Sequence, residues 1–186
     1  MTEPGKLTII TGCMFAGKTT WLIKLISMSK NPMIFNHAID LRYASGRIVS
    51  HDKSSIPAQG VSLVDDMRTF LEFRNFETKP DIFIDEGQFF NEDIIKFASE
   101  YCNVGFNVII AGLDLDSNAK DFGSMRQLAD LADEHIYLKA KCSEMKSGYK
   151  CNNQAIYTKR LVENRSTILV GGSEIYSPIC WACHKL

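Results

Sequence analysis

"LTIITGCMFAGKTT" occupies residues 7–20 and joins an apolar run to a loop bounded by glycines. The spacing of Gly12, Gly17, Lys18 and Thr19 matches the pattern G-x-x-x-x-G-K-[ST]. In this motif the backbone N–H groups of the loop converge on a phosphate, and the helix that follows directs its positive end at the same anion. The lysine reaches the β- and γ-phosphates, and the threonine hydroxyl binds Mg²⁺. The stretch therefore predicts a nucleoside triphosphate site.

The length, net charge and apolar runs of the chain exclude several classes of protein. A length of 186 residues suits one globular domain with at most a small appendage, and the net charge of −1 gives no general attraction to nucleic acid or anionic membranes. No apolar run approaches the ~20 residues of a membrane span, and the N-terminus lacks the apolar region of a secretory signal. We therefore expect a cytoplasmic protein, in which grouped cysteines more often hold a metal than form disulfides.

Short apolar runs alternate with helical patterns up to about residue 140. The pattern predicts strands at 6–10, 32–38, 107–114 and from 81 onward, and helices after the phosphate loop and at 62–76, 92–102 and 125–135. Asn91 is a candidate cap for the helix at 92–102. Such alternation is typical of an α/β fold with a parallel sheet and helices on both faces, whose ligands collect at the carboxyl ends of the strands.

An acidic pair follows the apolar part of the stretch "DIFIDEGQFF". In enzymes with a phosphate loop, an acidic residue at this position holds Mg²⁺, which makes Asp85 the predicted metal ligand. Glu86 points to the other side of the strand and is a candidate acceptor for the proton of an attacking hydroxyl or water. The alternative is a solvated acidic pair that only terminates the strand.

Four of the six cysteines crowd the last quarter of the chain: Cys142, Cys151, Cys180 and Cys183. The last two have the C-x-x-C spacing of a zinc knuckle, whereas the first two enclose the wider segment 143–150. We predict one structural zinc site made by the four thiolates, with buried free thiols as the alternative. The sequence thus divides into a nucleotide-binding α/β domain at 1–140 and a zinc-binding domain at 141–186.

Together these pieces resemble the zinc-containing type II thymidine kinases, the family of the cytosolic cellular enzyme and its bacterial and viral relatives. The resemblance covers nearly the whole chain and follows the family's order in "GCMFAGKTT", "DLRY", "SHD", "DEGQFF", "GLD", "DFGSM", "AIYTKR", "VGGSEIY" and the cysteines. "DEGQFF" and "VGGSEIY" are its most specific parts. It implies a RecA-like P-loop domain and a small C-terminal zinc-binding domain that carries a lasso-like loop, here 161–176.

The resemblance also implies an activity. The γ-phosphate of ATP would be transferred to the 5′-hydroxyl of thymidine or deoxyuridine, which is a step in the salvage of DNA precursors. ATP, Mg²⁺ and structural Zn²⁺ would be the cofactors. The family further implies a homotetramer and feedback inhibition by thymidine triphosphate.

Residue roles carry over at the positions that match. Glu86 would be the general base, assisted by Arg42 and Lys18, and Phe122 would pack on the base. The residues around ATP and Mg²⁺ would be Gly12, Cys13, Met14, Phe15, Ala16, Gly17, Lys18, Thr19, Thr20 and Asp85, with Thr19 and Asp85 at the metal. Those around the nucleoside would be Met14, Asp40, Arg42, Gln88, Phe122, Thr158, Val170, Gly171, Gly172 and Tyr176. Among the positions that depart from the family, two bear on the shape of the base pocket: Ser117 replaces an aromatic residue and Asp121 a proline.

Other functions fit parts of the sequence. A general P-loop NTPase or a remnant of a DExx-box motor would use the same phosphate loop and acidic pair, but such motors need a second RecA-like lobe. A deoxynucleoside kinase of different base specificity would need a different pocket. A zinc-ribbon module that binds nucleic acid is disfavoured by the near-neutral charge and the intact phosphate loop.

Overall fold

The computed structural model describes residues 3–39, 46–50, 54–74, 76–146, 148–163 and 169–184. The elements are, in chain order, β1 (Leu7–Thr11), α1 (Lys18–Met28), β2 (Pro32–His37), β3 (Arg47–Val49), β4 (Ser55–Pro57), β5 (Gln59–Val61), α2 (Val64–Glu72), β6 (Asp81–Asp85), α3 (Asp93–Asn103), β7 (Val108–Gly112), α4 (Met125–Leu131), β8 (Glu134–Tyr137), β9 (Ala140–Lys141), β10 (Met145–Lys146), β11 (Tyr149–Lys150), β12 (Gln154–Ala155), β13 (Tyr157–Arg160), β14 (Tyr176–Ile179) and α5 (Trp181–His184). A 3₁₀ turn at Gly87–Phe89 follows β6.

The central sheet has six strands in the order β5-β2-β6-β7-β1-β8. Every neighbouring pair in it is parallel, which confirms the predicted α/β class. Only β7 separates β1 from β6, so the phosphate loop and Asp85 leave the same edge of the sheet close to one another. The topology therefore brings the two predicted motifs together.

The inner strands β1, β6 and β7 are buried along almost their whole length because helices cover both faces of the sheet. Ile9 packs in the cluster that contains Phe97 of α3, whereas its neighbour Ile10 packs in the other cluster with Leu22 and Ile26 of α1. Successive side chains of a strand point to opposite faces, so a strand buried on both sides needs a continuous apolar run. This requirement explains why β1 could be identified from its sequence.

The predicted helix at 125–135 is wrong in its last part. Helix α4 ends at Leu131, and Glu134–Tyr137 instead form β8, which pairs with β1 in parallel from Thr8↔Glu134 to Thr11↔Tyr137. Backbone pairing with the edge of β1 outweighs the local helical pattern. The helix predicted at 62–76 is shorter and spans Val64–Glu72.

The predicted cap at Asn91 lies one residue too early, because the residue that directly precedes α3 is Glu92, whose side chain makes no capping hydrogen bond. Asn91 Oδ1 still accepts a hydrogen bond from the Asp93 N–H at 3.2 Å. No helix among the described residues is both long and apolar enough to cross a lipid bilayer.

Beyond residue 140 the chain forms short antiparallel ladders, β9 with β12, β10 with β11 and β13 with β14. They surround a small core of Ala140, Cys142, Ala155, Ile179 and Cys180. Cys13 of the phosphate loop belongs to the same core, and its Sγ donates to the Ala155 carbonyl at 3.4 Å. The phosphate loop is therefore packed against the C-terminal ladders. The domain boundary between residues 140 and 141 stays a prediction.

Candidate active site

The phosphate loop has the curled backbone that its motif predicts. Gly12 has φ 144°, and a Cβ there would lie 2.1 Å from the Leu138 carbonyl oxygen, so only glycine fits. Phe15 and Gly17 adopt the left-handed region with φ 67° and 87°. Lys18 is the first residue of α1, and its Nζ donates to the Cys13 carbonyl at 2.9 Å. The Lys18 side chain is thus folded back over the phosphate loop, where its ammonium group would also contact a bound phosphate.

Lys18 lies among acidic groups. Burial lowers the pKa of its ammonium group, and the charges of Glu86, Asp85 and Asp114 act in the opposite direction. The ammonium group can attract a phosphate, but the carboxylates around it would repel one unless a cation neutralised them. The site is therefore electrostatically suited to a polyphosphate that arrives with a metal ion to offset the carboxylates.

Asp85 and Thr19 form a pair at the end of β6 and the start of α1. Asp85 is only 5% exposed, and its interaction with the Thr19 side chain acts to lower the pKa of its carboxyl group. Burial, and next the neighbouring charge of Glu86, raise the pKa of Asp85 to about 7. Carboxylate and hydroxyl oxygens are ligands that Mg²⁺ prefers, so the residues present fit this ion.

The raised pKa of Asp85 predicts an unusual pH dependence of stability in the absence of Mg²⁺ and nucleotide. Because its pKa is about 7 in the fold against 3.8 for a solvated aspartate, the stability that this group contributes is fully present below about pH 4 and is lost as the pH rises through 7. Asp85→Asn should therefore stabilise the protein relative to wild type at pH 8 by on the order of 1–3 kcal/mol, and much less at pH 5. Urea unfolding at both pH values measures this, with Asp130→Asn on the exposed face of α4 as the control. An equal effect of Asp85→Asn at both pH values would contradict it.

Glu86 has a backbone conformation that non-glycine residues seldom adopt. It lies in the left-handed region with φ 59° and ψ 40°, and its N–H donates to Asp85 Oδ1 at 3.0 Å. Such conformations cost of order 1–3 kcal/mol and concentrate at functional sites. The Gln88 amide Nε2 donates to Glu86 Oε2 at 2.6 Å, while Gln88 Oε1 accepts the Leu113 N–H at 2.9 Å. The carboxylate of Glu86 is thus held in place by a neighbouring side chain.

One cavity of about 400 Å³ opens at this edge of the sheet. The predicted residues that line it are Met14, Phe15, Gly17, Lys18, Thr19, Thr20, Asp85, Glu86, Gln88, Phe122, Thr158, Val170, Gly171 and Tyr176. Four predicted residues lie outside its described lining: Gly12, Cys13, Ala16 and Gly172. The predicted Asp40 and Arg42 lie outside the described residues.

Strand β13 contacts the phosphate loop and, further along, the segment that contains Leu169 and Tyr176. Its buried Thr158 accepts a hydrogen bond from the Met14 N–H at 3.0 Å. Two residues on, Arg160 donates from Nη2 to the Tyr176 hydroxyl at 3.4 Å, and this hydroxyl donates to the Leu169 carbonyl at 2.7 Å. The two ends of one strand therefore touch the two loops that face each other across the cavity.

The contact between Thr158 and Met14 predicts an effect on nucleotide binding. Thr158→Val keeps the shape of the side chain but leaves the Met14 N–H without its acceptor, which costs about 1–3 kcal/mol. We expect ATP to bind about fivefold or more weakly in the absence of any nucleoside, as measured by calorimetry. Thr69→Val, on the exposed face of α2, is the control. Unchanged ATP affinity in Thr158→Val would show that the contact does not shape the loop.

The four clustered cysteines converge on one point. Their Sγ atoms all lie within 4.8 Å of one another, with 3.8 Å from Cys151 to Cys180 and 3.6 Å from Cys151 to Cys183. Sulfur atoms at ~2.3 Å from a tetrahedral zinc ion are about 3.8 Å apart, whereas a disulfide requires about 2.05 Å. The cluster therefore has the dimensions of a tetrathiolate metal site.

Without a metal ion the thiols of the cluster differ in acidity, since burial and hydrogen bonds with the neighbouring thiols raise the pKa of Cys183 to about 12. Burial alone raises the pKa of Cys180, but hydrogen bonds from the Cys183 backbone and from the three neighbouring thiols outweigh it and bring the pKa to about 6. The wide spacing between Cys142 and Cys151 is accommodated by the β10–β11 hairpin, which lies between them in the chain. Its Met145 and Tyr149 are 62% and 80% exposed. Because the hairpin projects into solvent, Cys142 and Cys151 still meet.

Comparison with known proteins decides the family. The thymidine kinase family model matches residues 5–184. The chain is similar to the thymidine kinase of Bacteroides fragilis, with 36% identity over 97% of this chain and 87% of the relative. It is also similar to the thymidine kinases of Mesoplasma florum (34% identity, 98% of this chain and 92% of the relative) and Mesomycoplasma hyopneumoniae (33%, 98% and 96%). The chain belongs to the thymidine kinase family.

Within this thymidine kinase fold, the cavity includes residues that sequence reasoning missed. They are Val49, Phe89, Leu113, Leu115, Asp116, Arg160 and Leu169; Ser117, which the resemblance singled out, also lines the cavity. Arg160 could have been found, because it shares a strand face with Thr158 two residues earlier. Phe89 meets Phe122 edge-on with the ring centroids 5.6 Å apart, a contact for which the sequence carries no signal.

Proposed function

We propose that this chain is a thymidine kinase that transfers the γ-phosphate of ATP to the 5′-hydroxyl of thymidine or deoxyuridine. One observation carries the proposal. Residues of the phosphate loop, the Asp85–Glu86 pair and seven of the ten residues matched to nucleoside binding line a single cavity. Membership of the thymidine kinase family supports the same activity. The product would supply the salvage of pyrimidine deoxynucleotides.

The donor side of the site would be the phosphate loop. Its backbone N–H groups and Lys18 bind the ATP phosphates, and the lysine is already held at the loop by the Cys13 carbonyl. Thr19 and Asp85 would hold Mg²⁺, which neutralises phosphate charge when bound. Phosphoryl transfer needs little covalent help from the protein, so positioning by these groups is most of what the donor side contributes.

On the acceptor side Glu86 would take the proton of the 5′-hydroxyl. It lines the cavity beside Asp85, where an alcohol facing the phosphate loop would reach it. Arg42 would stabilise the charge of the transferred group and Asp40 would contact the nucleoside; both roles rest on the family resemblance. Glu86 would then act on the acceptor alcohol, and Lys18 on the phosphates of the donor.

The nucleoside would lie between the aromatic rings and the loop at 161–176. Phe122 would pack on the base, Met14 would bound the thymine methyl, and Thr158 would contact a polar base atom. Val170, Gly171 and Gly172 would offer backbone N–H and C=O groups to the pyrimidine edge, with Tyr176 beside the nucleoside. Backbone recognition suits this edge because an unpaired donor or acceptor costs about 1–3 kcal/mol.

The remaining properties complete the proposal. The cysteine cluster would hold one structural Zn²⁺, in a domain at 141–186 that follows the nucleotide-binding domain at 1–140. The family resemblance suggests a cytoplasmic homotetramer, inhibited by thymidine triphosphate and independent of nucleic acid and membranes. Ser117 at the cavity wall makes base selectivity the property most worth measuring.

A panel of nucleosides tests the proposal. With ATP and Mg²⁺ we expect the protein to phosphorylate thymidine and deoxyuridine, and purine deoxynucleosides at least about 100-fold more slowly, since a purine would clash with the close loop. Metal content measured on the same sample should show about one zinc per chain. Equal ATP consumption with and without nucleoside would indicate a general NTPase instead. Preferred phosphorylation of deoxycytidine or a purine would contradict the base specificity.

A further inference from the structure

We propose that Gln88 is a positioning residue that fixes the carboxylate of Glu86 for proton transfer; this inference rests on the proposed role of Glu86 as the general base. The family resemblance places Gln88 near the nucleoside. In the structure its amide is hydrogen-bonded to two protein groups: Nε2 donates to Glu86 Oε2 at 2.6 Å, and Oε1 accepts from the Leu113 N–H at 2.9 Å. The side chain therefore ties the end of β6 to the residue that follows β7.

The surroundings of Gln88 are shaped to hold this one conformation. The residue is only 3% exposed. A Cβ on Gly112 would lie 2.7 Å from Gln88 Oε1, and a Cβ on Gly123 would lie 2.3 Å from the Gln88 carbonyl oxygen. Gly123 also has φ 56°, which disfavours any side chain there. Gly112 thus leaves room for the side-chain amide oxygen of Gln88, and Gly123 leaves room for the backbone of the same residue.

Glu86 needs such support because of its own backbone. The left-handed conformation turns the chain sharply into the 3₁₀ turn, and the side chain starts from this bend. A general base must come within about 2.6–3.2 Å of the proton that it accepts, and an error of about 1 Å can cost 10²-fold in rate. The hydrogen bond from the Gln88 amide limits the positions that the Glu86 carboxylate can take. Gln88 therefore acts on the reaction through Glu86.

A double-mutant cycle separates this role from a merely structural one. Gln88→Met keeps the length of the side chain and removes its hydrogen bonds to Glu86 and Leu113. We expect kcat for thymidine phosphorylation to fall by about 10–100-fold, with KM for thymidine changed by less than about threefold. In the Glu86→Gln background the same change should lower kcat by less than about twofold, because the group that it positions is gone. Gln127→Met, on the exposed face of α4, is the matched control and should leave kcat unchanged.

The outcomes are distinct. A loss of kcat that is equal in both backgrounds, or no loss at all, overturns the positioning role. If Gln88→Met does not give a cooperative thermal unfolding transition, Gln88→Asn replaces it, since the shorter amide cannot span both partners and the same dependence on Glu86 is expected. If the unaltered chain did not phosphorylate thymidine, the proposed function would be overturned. Full activity of Glu86→Gln would overturn the proposed role of Glu86 as the general base.

Discussion

Replacing Glu86 with glutamine should lower kcat for thymidine phosphorylation by about 10²–10⁴-fold, the usual contribution of a general base. The substitution keeps the size of the side chain and its position beside Asp85, so the shape of the cavity is retained. Thymidine should therefore bind within about threefold of its wild-type affinity. Steady-state kinetics together with calorimetric binding measure both quantities.

The control for this prediction is Glu92→Gln, an exposed residue that directly precedes α3. It removes the same charge away from the cavity and should change kcat by less than about twofold. If Glu86→Gln instead raised KM without lowering kcat, Glu86 would be a binding residue, and another group would have to accept the proton.

Replacing Cys180 with serine should have the largest effect on the integrity of the protein. Cys180 directly follows β14, and Tyr176 at the other end of this strand is bonded to the loop that would hold the nucleoside. The apolar core around the cysteines is small, and metal binding supplies folding free energy to segments of this kind. We expect the variant to lose its metal and thymidine phosphorylation to fall by about 100-fold or more.

Metal analysis and kinetics on the same preparations test this expectation. Cys102→Ser is the control, because Cys102 is a half-buried thiol of α3 that lies outside the cluster. It should keep about one zinc per chain and near-normal activity. A Cys180→Ser variant that lost the metal yet phosphorylated thymidine normally would show that the cluster does not support the nucleoside loop.

The fold was predictable from sequence wherever a segment is buried on both sides. The apolar runs of β1, β6 and β7 are continuous because helices cover both faces of these strands. Strand β8 could not be identified in this way, because it lies at the edge of the sheet, with Glu134 exposed and Ile136 half-buried. Its position depends on pairing with β1, and a local pattern does not record such pairing.

The candidate site was predictable where chemistry depends on close spacing along the chain. The phosphate loop, the Asp85–Glu86 pair and the C-x-x-C pair each place their groups within a few residues. The contact of Gln88 with Leu113 was not predictable, because it joins two strand ends that only the sheet topology brings together. The same limit applies to Thr158 and Met14, which meet although most of the chain lies between them.

The central claim is that the terminal phosphate of ATP and the sugar's primary alcohol meet between the phosphate loop and the end of β6. Comparing ADP release with thymidine and with 5′-deoxythymidine, each at saturating concentration, tests it most directly. Thymidine should give one ADP for each thymidine 5′-monophosphate, whereas 5′-deoxythymidine should bind and leave ADP release at the level seen without nucleoside. Equal ADP release with both compounds would contradict the account.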